Sequence, residues 1–266
     1  MSSELLLKTA LEAAEEASTV LMRLLGNAAI SFKQEQTHNL VTEADVAAEK
    51  AILQVLQRDF PKHQVLGEEG ISDGDLTAEL LWIVDPLDGT TNYSHAIPQF
   101  SVSICFAESG VPAVGVVADP SHGEVFHAIR GEGAFLNGER IHVSTRADMR
   151  EAVIATGFYY DRGEMMAQTL DTIGRLFRCN VRGIRRLGSA ALDLCWVACG
   201  RLDGFFEYQL SPWDYAAAML IVEEAGGRCA NRVCEPLELG SGSVIATNGK
   251  LFDDISNTVR WDRESS

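Results

Sequence analysis

Leu7, Leu11, Ala14, Val20 and Leu24 recur at helical spacing and predict a first helix over residues 4–25, closed by Gly26. A second helix is predicted over 43–59, with Thr42 as its cap and Asp45 three residues on. VLGEEG reads as a short strand running into a loop, and the apolar run LLWIV at 80–84 as a buried strand. From 101 to 135, β-rich runs alternate with Gly, Pro, Asn or Ser, which predicts an antiparallel sheet built of hairpins. Beyond residue 150 the texture changes. Strands VIATG, VRGIR, DGFFE and SVIATN alternate with helices over 163–177, 189–199, 213–225 and 250–258. Such alternation belongs to layered α/β structure. The pattern therefore predicts an α+β lobe over 1–150 and an α/β lobe over 151–266, packed as one compact unit with the site between them.

Composition narrows the function. The chain has 266 residues, 46% of them hydrophobic, which suffices for a sizeable core. Its formal charge of −16 predicts repulsion from nucleic acid and from anionic membrane, so neither is an expected partner. An anionic substrate stays possible, because bound divalent cations reverse the local sign. The six cysteines form no CxxC pair and read as small buried hydrophobes of a reducing compartment, not as a zinc site. The acidic N-terminal stretch lacks a basic n-region, and no apolar run approaches the roughly 20 residues of a membrane span. A cytoplasmic location is the expectation.

The chemistry concentrates in VDPLDGTTN, residues 84–92. A plain turn would account for Pro86 and Gly89. It would not account for two carboxylates, Asp85 and Asp88, at the end of a buried strand, where loops commonly carry function. Hard cations such as Mg²⁺ take carboxylate and carbonyl oxygens, and Asp85, Asp88 and the Leu87 carbonyl offer three. Gly89 permits close backbone approach to a phosphate, and Thr90 and Thr91 can open a short helix with free N–H groups. GEEG adds Glu68 and Glu69, although a solvated acidic loop is the commoner fate of such a pair. In SPWDYAAAMLIVEEAGG, Ser211, Pro212 and Asp214 have the form of a helix start with a capping box. A carboxylate held at a helix N-terminus also suits a metal ligand.

Taken together, these motifs identify a resemblance. WIVDPLDGTTNY, WDYAAAMLIVEEAGG and GEEG resemble the signatures of the inositol monophosphatases, in the lithium-sensitive, magnesium-dependent sugar-phosphatase superfamily. LGSAALDLCWVACGRLDGFFE and RGEGAFLNGERIHVS fit in register, so the likeness runs from about Asn39 to Asn248 and is similar to bacterial members in particular. It implies a layered α-β-α-β-α sandwich, with mixed and antiparallel sheets between helix layers.

The resemblance also implies roles. Glu68, Asp85 and the Leu87 carbonyl would bind one Mg²⁺, and Asp85, Asp88 and Asp214 a second, with a third sharing Glu68. Asp45 would hydrogen-bond Thr90, and that pair with Glu68 would orient and deprotonate the attacking water. The Gly89 and Thr90 amides would hold the phosphate. Asp88, the Gly188, Ser189 and Ala190 backbone, Glu207 and Asp214 would hold a small phosphorylated polyol, inositol-1-phosphate foremost. Gly188–Ser189 also reads as an ordinary helix cap. Arg185 and Arg186 read as solvated, as phosphate contacts, or as contacts to a second subunit; a homodimer is the family's habit.

Uncatalysed monoester hydrolysis is so slow that enzymes accelerate it by up to ~10²¹. A general acid or base supplies only ~10²–10⁴ of that. Positioning and charge stabilisation must supply the rest, which explains clustered carboxylates around metal. Neighbouring activities on the same fold, a 3′-phosphoadenosine 5′-phosphate nucleotidase, a fructose-1,6-bisphosphatase and a histidinol-phosphatase, share the metals and differ in leaving group. Thr91 and Asn92 favour the inositol branch, and GEEG in place of GEES departs slightly from it. A non-catalytic metal or phosphosugar sensor is disfavoured because every implied ligand is present.

Overall fold

The computed structural model describes residues 2–26, 30–32, 40–69, 74–160 and 162–261. The first predicted helix forms as α1 (Ser3–Leu24), and the chain leaves it through Gly26 at φ +78°. Its buried stripe is rotated from the predicted one. Leu6, Ala10, Ala13, Ala14, Ala17 and Leu21 face inward, while Leu7, Leu11 and Leu24 pack at the edges. Small alanines at the contact let the helix lie close to its neighbours. The short strands β1 (Ile30–Phe32) and β2 (Leu40–Thr42) pair antiparallel, and α2 (Glu43–Asp59) follows at once. The expected Thr42 cap falls on a side chain outside the described part.

A seven-stranded sheet comes next. It comprises β3 (Gln64–Gly67), β4 (Leu80–Asp88), β5 (Ser101–Glu108), β6 (Val111–Asp119), β7 (Glu124–Ile129), β8 (Gly133–Leu136) and β9 (Glu139–Arg140), in that spatial order. β3 runs parallel to β4 and every later neighbour is antiparallel, as a meander with short turns must be. The helical turn α3 (Thr90–Ser94) joins β4 to β5.

The second half alternates as its pattern predicts. Strands β10 (Val153–Thr156), β11 (Gly183–Arg185), β12 (Gly204–Leu210), β13 (Arg228–Ala230) and β14 (Gly242–Thr247) form a mixed sheet in the order β11-β10-β12-β14-β13. Between them run α4 (Glu164–Arg178), α5 (Ala190–Ala198) and α6 (Pro212–Glu224), and α7 (Phe252–Val259) follows.

The elements stack in five layers. α1 and α2 cover one face of the large sheet, α5 and α6 fill the space between the sheets, and α4 and α7 cover the far face of the small one. The period-2 alternation of each strand divides its residues between these layers. On β4, Trp82 and Val84 join the α1–α2 core, whereas Leu81 and Ile83 join the central core around α5 and α6. On β12, Phe205 joins the central core and Phe206 the outer one with α4 and α7. Helix α6 is buried continuously from Tyr215 to Val222, because it has a sheet on either side. The fold is thus the layered α-β-α-β-α sandwich of mixed and antiparallel sheets.

Cys105, Cys195 and Cys229 are buried, as expected, but Cys179 is exposed, and all six cysteines are free. No helix among the described residues is long and apolar enough to cross a membrane.

The close seating of α6 on the large sheet depends on Gly115 of β6, where an added Cβ would lie 2.6 Å from the Ala217 carbonyl oxygen. A backbone neighbour cannot swing aside. Gly115→Ala is therefore expected to cost about 1–3 kcal/mol, seen as a lower urea midpoint at an unchanged denaturant slope. An unshifted midpoint would show that the helix is not held at this point.

Candidate active site

VDPLDG does not form the simple turn that its residues suggest. Strand β4 continues through Pro86 to Asp88, and its register against β5 shifts between Asp85↔Ser103 and Asp88↔Ser101. Three steps along β4 match two along β5, which is a one-residue bulge. Proline has no N–H for the ladder and is tolerated at such a place. The bulge has a geometric consequence. Residues 85 and 88, three apart, would point to opposite faces of a regular strand. The extra residue reverses the alternation. Leu87 accordingly packs in the α1–α2 core with Trp82 and Val84. Asp85 and Asp88 both line one cavity of about 240 Å³ on the other side.

Other elements complete the wall. Glu68 follows β3, Asp214 opens α6 and Glu207 lies on β12, and all three line the same cavity. Gly89, Thr90, Gly188, Ser189, Ala190 and Leu87 also line it. Asp45, in the first turn of α2, is fully buried behind Thr90, whose hydroxyl stands 3.2 Å from Asp45 Oδ1 and equally 3.2 Å from the Leu87 carbonyl. Every residue to which the resemblance gave metal, phosphate or polyol is thus on this wall or directly behind it. Glu69, the other acid of GEEG, is not among the lining residues; its backbone N–H donates to Glu49 Oε1 at 3.2 Å.

Local hydrogen bonds hold the acids in place. Asp85 Oδ1 accepts from the Leu87 N–H at 3.0 Å. Asp88 Oδ2 accepts from the Ser189 hydroxyl at 2.7 Å and the Ala191 N–H at 2.8 Å. Ser189 Oγ meanwhile accepts from the Leu192 N–H at 3.3 Å, so one hydroxyl caps α5 and ties it to β4. Asp214 Oδ2 accepts from the Ser211 N–H at 2.6 Å, which is the capping box anticipated in the sequence. Gly89 adopts φ +98°, and an added Cβ would meet the carbonyls of Gln99 and Gly188 at 3.0 and 3.1 Å. Only glycine fits there.

The electrostatics are those of negative charge forced together. Burial, then Glu68, Asp88 and Asp214, push the Asp85 carboxyl well above the usual carboxylate range. Burial raises Asp88 to about 6 against the opposing hydrogen bonds from Ser189 and Ala191. Burial and the charges of Asp88 and Glu68 push Asp214 well up. Burial raises Glu207 to about 8, although Arg186 at the cavity mouth opposes it.

Four carboxylates and a carbonyl around one cavity form an oxygen donor set of the kind hard divalent cations take. Among the described residues, no three acidic, histidine or cysteine side chains already stand together as a metal-holding group. The hydrogen bonds described above to Asp88 and Asp214 all go to Oδ2, from serine and backbone donors. Donor type and location fit a divalent cation, and the side chains present are in their amide-bonded arrangement.

Several wall residues escaped the sequence reading. Gly157 leaves the space into which the Glu207 carboxylate reaches, since an added Cβ would collide with it. Its only sign in the sequence is its place at the end of a strand. Tyr159 and Tyr160 stand half-exposed at the cavity, and nothing in their local pattern announces them. Asp193 is the one charged residue of an otherwise apolar helix, a signal that could have been read. Arg186 reaches the cavity, whereas Arg185 is exposed and donates to the Ile184 carbonyl at 3.0 Å. A larger cavity of about 880 Å³, lined by Met165, Tyr208, Arg232 and Trp261 among others, contains none of the clustered carboxylates.

The chain is similar to known proteins over nearly its whole length. The inositol monophosphatase family matches the chain over residues 2–264. The inositol-1-monophosphatase of Synechocystis is 41% identical over 253 residues, covering 95% of this chain and 88% of the relative. Nus factor SuhB of Pseudomonas aeruginosa is 40% identical over 261 residues, covering 96% of each. The solved structure of inositol monophosphatase from Anabaena (Nostoc) superposes with a TM-score of 0.87 at 41% identity, covering 96% of this chain and 95% of that one.

The raised acids make a sign prediction for the metal-free protein. Glu207, neutral in the fold up to about pH 8, contributes stability that is fully present below its ordinary value of 4.5 and lost as pH rises through about 8. Glu207→Gln keeps the shape and removes the titration. In chelator, its stability relative to wild type should be level near pH 4.5 and grow to on the order of a few kcal/mol by pH 8, measured by urea unfolding at each pH. A difference that stays constant with pH would disprove the shift.

Proposed function

This chain belongs to the inositol monophosphatase family and is a phosphoric monoester hydrolase, and we propose that it hydrolyses a small polyol phosphate of the inositol-1-phosphate type with Mg²⁺. The observation that carries the reading is the bulge at Pro86. It turns Asp85 and Asp88 to the same side, into the cavity that Glu68, Asp214 and Thr90 share.

Glu68, Asp85, Asp88, Asp214 and the Leu87 carbonyl are the residues that would hold two or three Mg²⁺ ions. Bound there, Mg²⁺ supplies water activation near neutral pH and neutralisation of phosphoryl charge. The remaining work falls to the chain. Thr90 donates its hydroxyl proton to Asp45, which leaves the Thr90 oxygen a fixed acceptor for one proton of the attacking water. Glu68 accepts the other and keeps the water in line with the phosphorus. Asp45, buried behind the threonine, fixes this orientation without touching substrate. The N–H groups of Gly89 and Thr90 bind phosphoryl oxygens, so the ester is oriented before reaction and little entropy is lost in the step itself.

The alcohol portion faces a different chemistry. Asp88, Glu207 and Asp214 present acceptors to hydroxyl groups, and the backbone of Gly188, Ser189 and Ala190 closes the other side. A polyol satisfies such acceptors; an apolar leaving group leaves them unpaired. The Synechocystis relative carries an inositol-1-monophosphatase name, which supports the same choice.

Asp88→Asn should leave the fold intact and reduce Mg²⁺-dependent phosphate release by at least about 10²–10³; wild-type turnover in that variant would end the assignment. In a phosphate-release comparison of inositol-1-phosphate, fructose-1,6-bisphosphate, histidinol phosphate and 3′-phosphoadenosine 5′-phosphate, the first should give the highest kcat/KM. A higher value for any other would reassign the substrate and leave the phosphatase reading standing. Li⁺ should inhibit uncompetitively by occupying the place of an ion held by Asp85, Asp88 and Asp214. An active enzyme indifferent to Li⁺ would separate the chain from the lithium-sensitive branch.

A further inference from the structure

Helix α5 has the sequence AALDLCWVA, and Asp193 is its only charged residue. It is not at the surface. Asp193 is 1% exposed, with Leu192, Leu194 and Cys195 buried beside it. Its Oδ1 is buried and has no hydrogen-bond partner among the described residues. An isolated acidic oxygen of this kind is destabilising, because its lost hydration is not replaced. Placement near the start of α5 brings some compensation from the helix dipole, but this is a small effect next to desolvation. A leucine or alanine would satisfy the packing here, as it does at the helix's other positions. The carboxyl therefore calls for a partner that the folded chain does not contain.

The location says what that partner is. Asp193 lines the same cavity as Asp88, Glu207 and Arg186. Burial, then the charges of Asp88 and Glu207, push its carboxyl well above the usual range, and Arg186 partly offsets them. Ser189, at the start of the same helix, donates to Asp88 Oδ2 at 2.7 Å. α5 and β12 also carry Ala190 and Glu207, which line this cavity and were assigned above to the alcohol portion of the ester.

We propose that Asp193 binds a hydroxyl of the substrate's polyol ring and so helps set the preference for a polyol over a plain phosphate ester. The inference rests on the polyol reading given above and extends it to a residue outside the WIVDPLDGTTNY, WDYAAAMLIVEEAGG and GEEG motifs. A carboxyl can serve a hydroxyl either way, accepting through a bare oxygen or donating when protonated. With Glu207 lining the same cavity, a second hydroxyl can be held as well. The orphaned oxygen is then satisfied only when substrate is bound, which is how a site rejects analogues that lack the hydroxyl.

The test uses the Mg²⁺-loaded enzyme with two substrates, inositol-1-phosphate and p-nitrophenyl phosphate, which has no hydroxyl to offer. Asp193→Leu suits its apolar neighbours and removes the acceptor; Asp193→Asn retains one oxygen and the shape. For Asp193→Leu we expect KM for inositol-1-phosphate to rise about three- to tenfold, as loss of one hydrogen bond implies. Its kcat should be nearly unchanged, KM for p-nitrophenyl phosphate unaltered, and Tm equal to wild type or higher. Asp193→Asn should fall between. A structural role predicts the reverse: a lower Tm and equal losses on both substrates, and that result overturns the proposal. So does a variant that retains the wild-type KM for inositol-1-phosphate. A wild-type enzyme that itself shows no preference for inositol-1-phosphate over p-nitrophenyl phosphate would instead sink the polyol reading on which this inference stands.

Discussion

Repulsion among buried carboxylates is the constraint around which this molecule is arranged. Asp85, Asp88, Asp214, Glu68 and Glu207 line one cavity, and the first two are spaced by a single bulge. Left free, such side chains would move apart or stay in water. They stay because they are rooted in four rigid elements: β4 for Asp85 and Asp88, the start of α6 for Asp214, the end of β3 for Glu68, and β12 for Glu207. The raised carboxyls of Asp85, Asp88, Asp214 and Glu207 express the same tension. Bringing in positive charge relieves it, and this is what makes the cavity a place for divalent cations and, through them, for a phosphate.

The central helix layer is the scaffold's contribution to that balance. α5 and α6 both begin at the cavity, through Ser189 and Ser211. Their N-terminal N–H groups are donors in need of acceptors. Asp88 accepts from Ala191 and Asp214 from Ser211, so two acids that repel each other are each held by a helix end. The helices in turn are fixed by burial between two sheets. This is why α6 has no polar face, and why Gly115 must leave room for it. Packing one helical turn beyond the cavity, at Ala217, thereby helps set the position of Asp214.

The sequence showed most of the fold because strand and helix periods differ and the layers are well separated. LLWIV, the hairpins of 101–135 and the later alternation all formed where their patterns placed them. Amphipathic direction was less legible. In α1 the leucines flanked the contact and alanines made it, since close helix packing favours small side chains over the most hydrophobic ones. In the site, acids beside glycine and threonine stood out as residue types. Gly157 did not, because it acts by having no side chain, and Asp193 was legible only as a lone charge in an apolar helix, without a motif around it. Tyr159 and Tyr160 reach the cavity only through the tertiary fold.

Two irregularities interrupt strands at the site, and the first explains how one strand delivers two acids that regular spacing would separate. β4 shifts register between Asp85 and Asp88, and β12 does so between Glu207 and Leu210. In each case three steps along one strand match two along its partner. The apolar neighbours record the reversal: Leu87 joins the same core as the even-numbered Trp82 and Val84, and Leu210 the same core as the odd-numbered Phe205. A bulge therefore changes which residues are core and which are site without changing composition. Binary patterning cannot reveal this, since a reader who assumes period two sends Asp88 into the α1–α2 core. A buried aspartate there would face Trp82 and Val84 with no donor suited to it. The conflict between pattern and chemistry within VDPLDG was thus itself the mark of the bulge. Where alternation would bury a charge among hydrophobes, an inserted residue is the cheaper solution, and the strand bends where it carries the reaction.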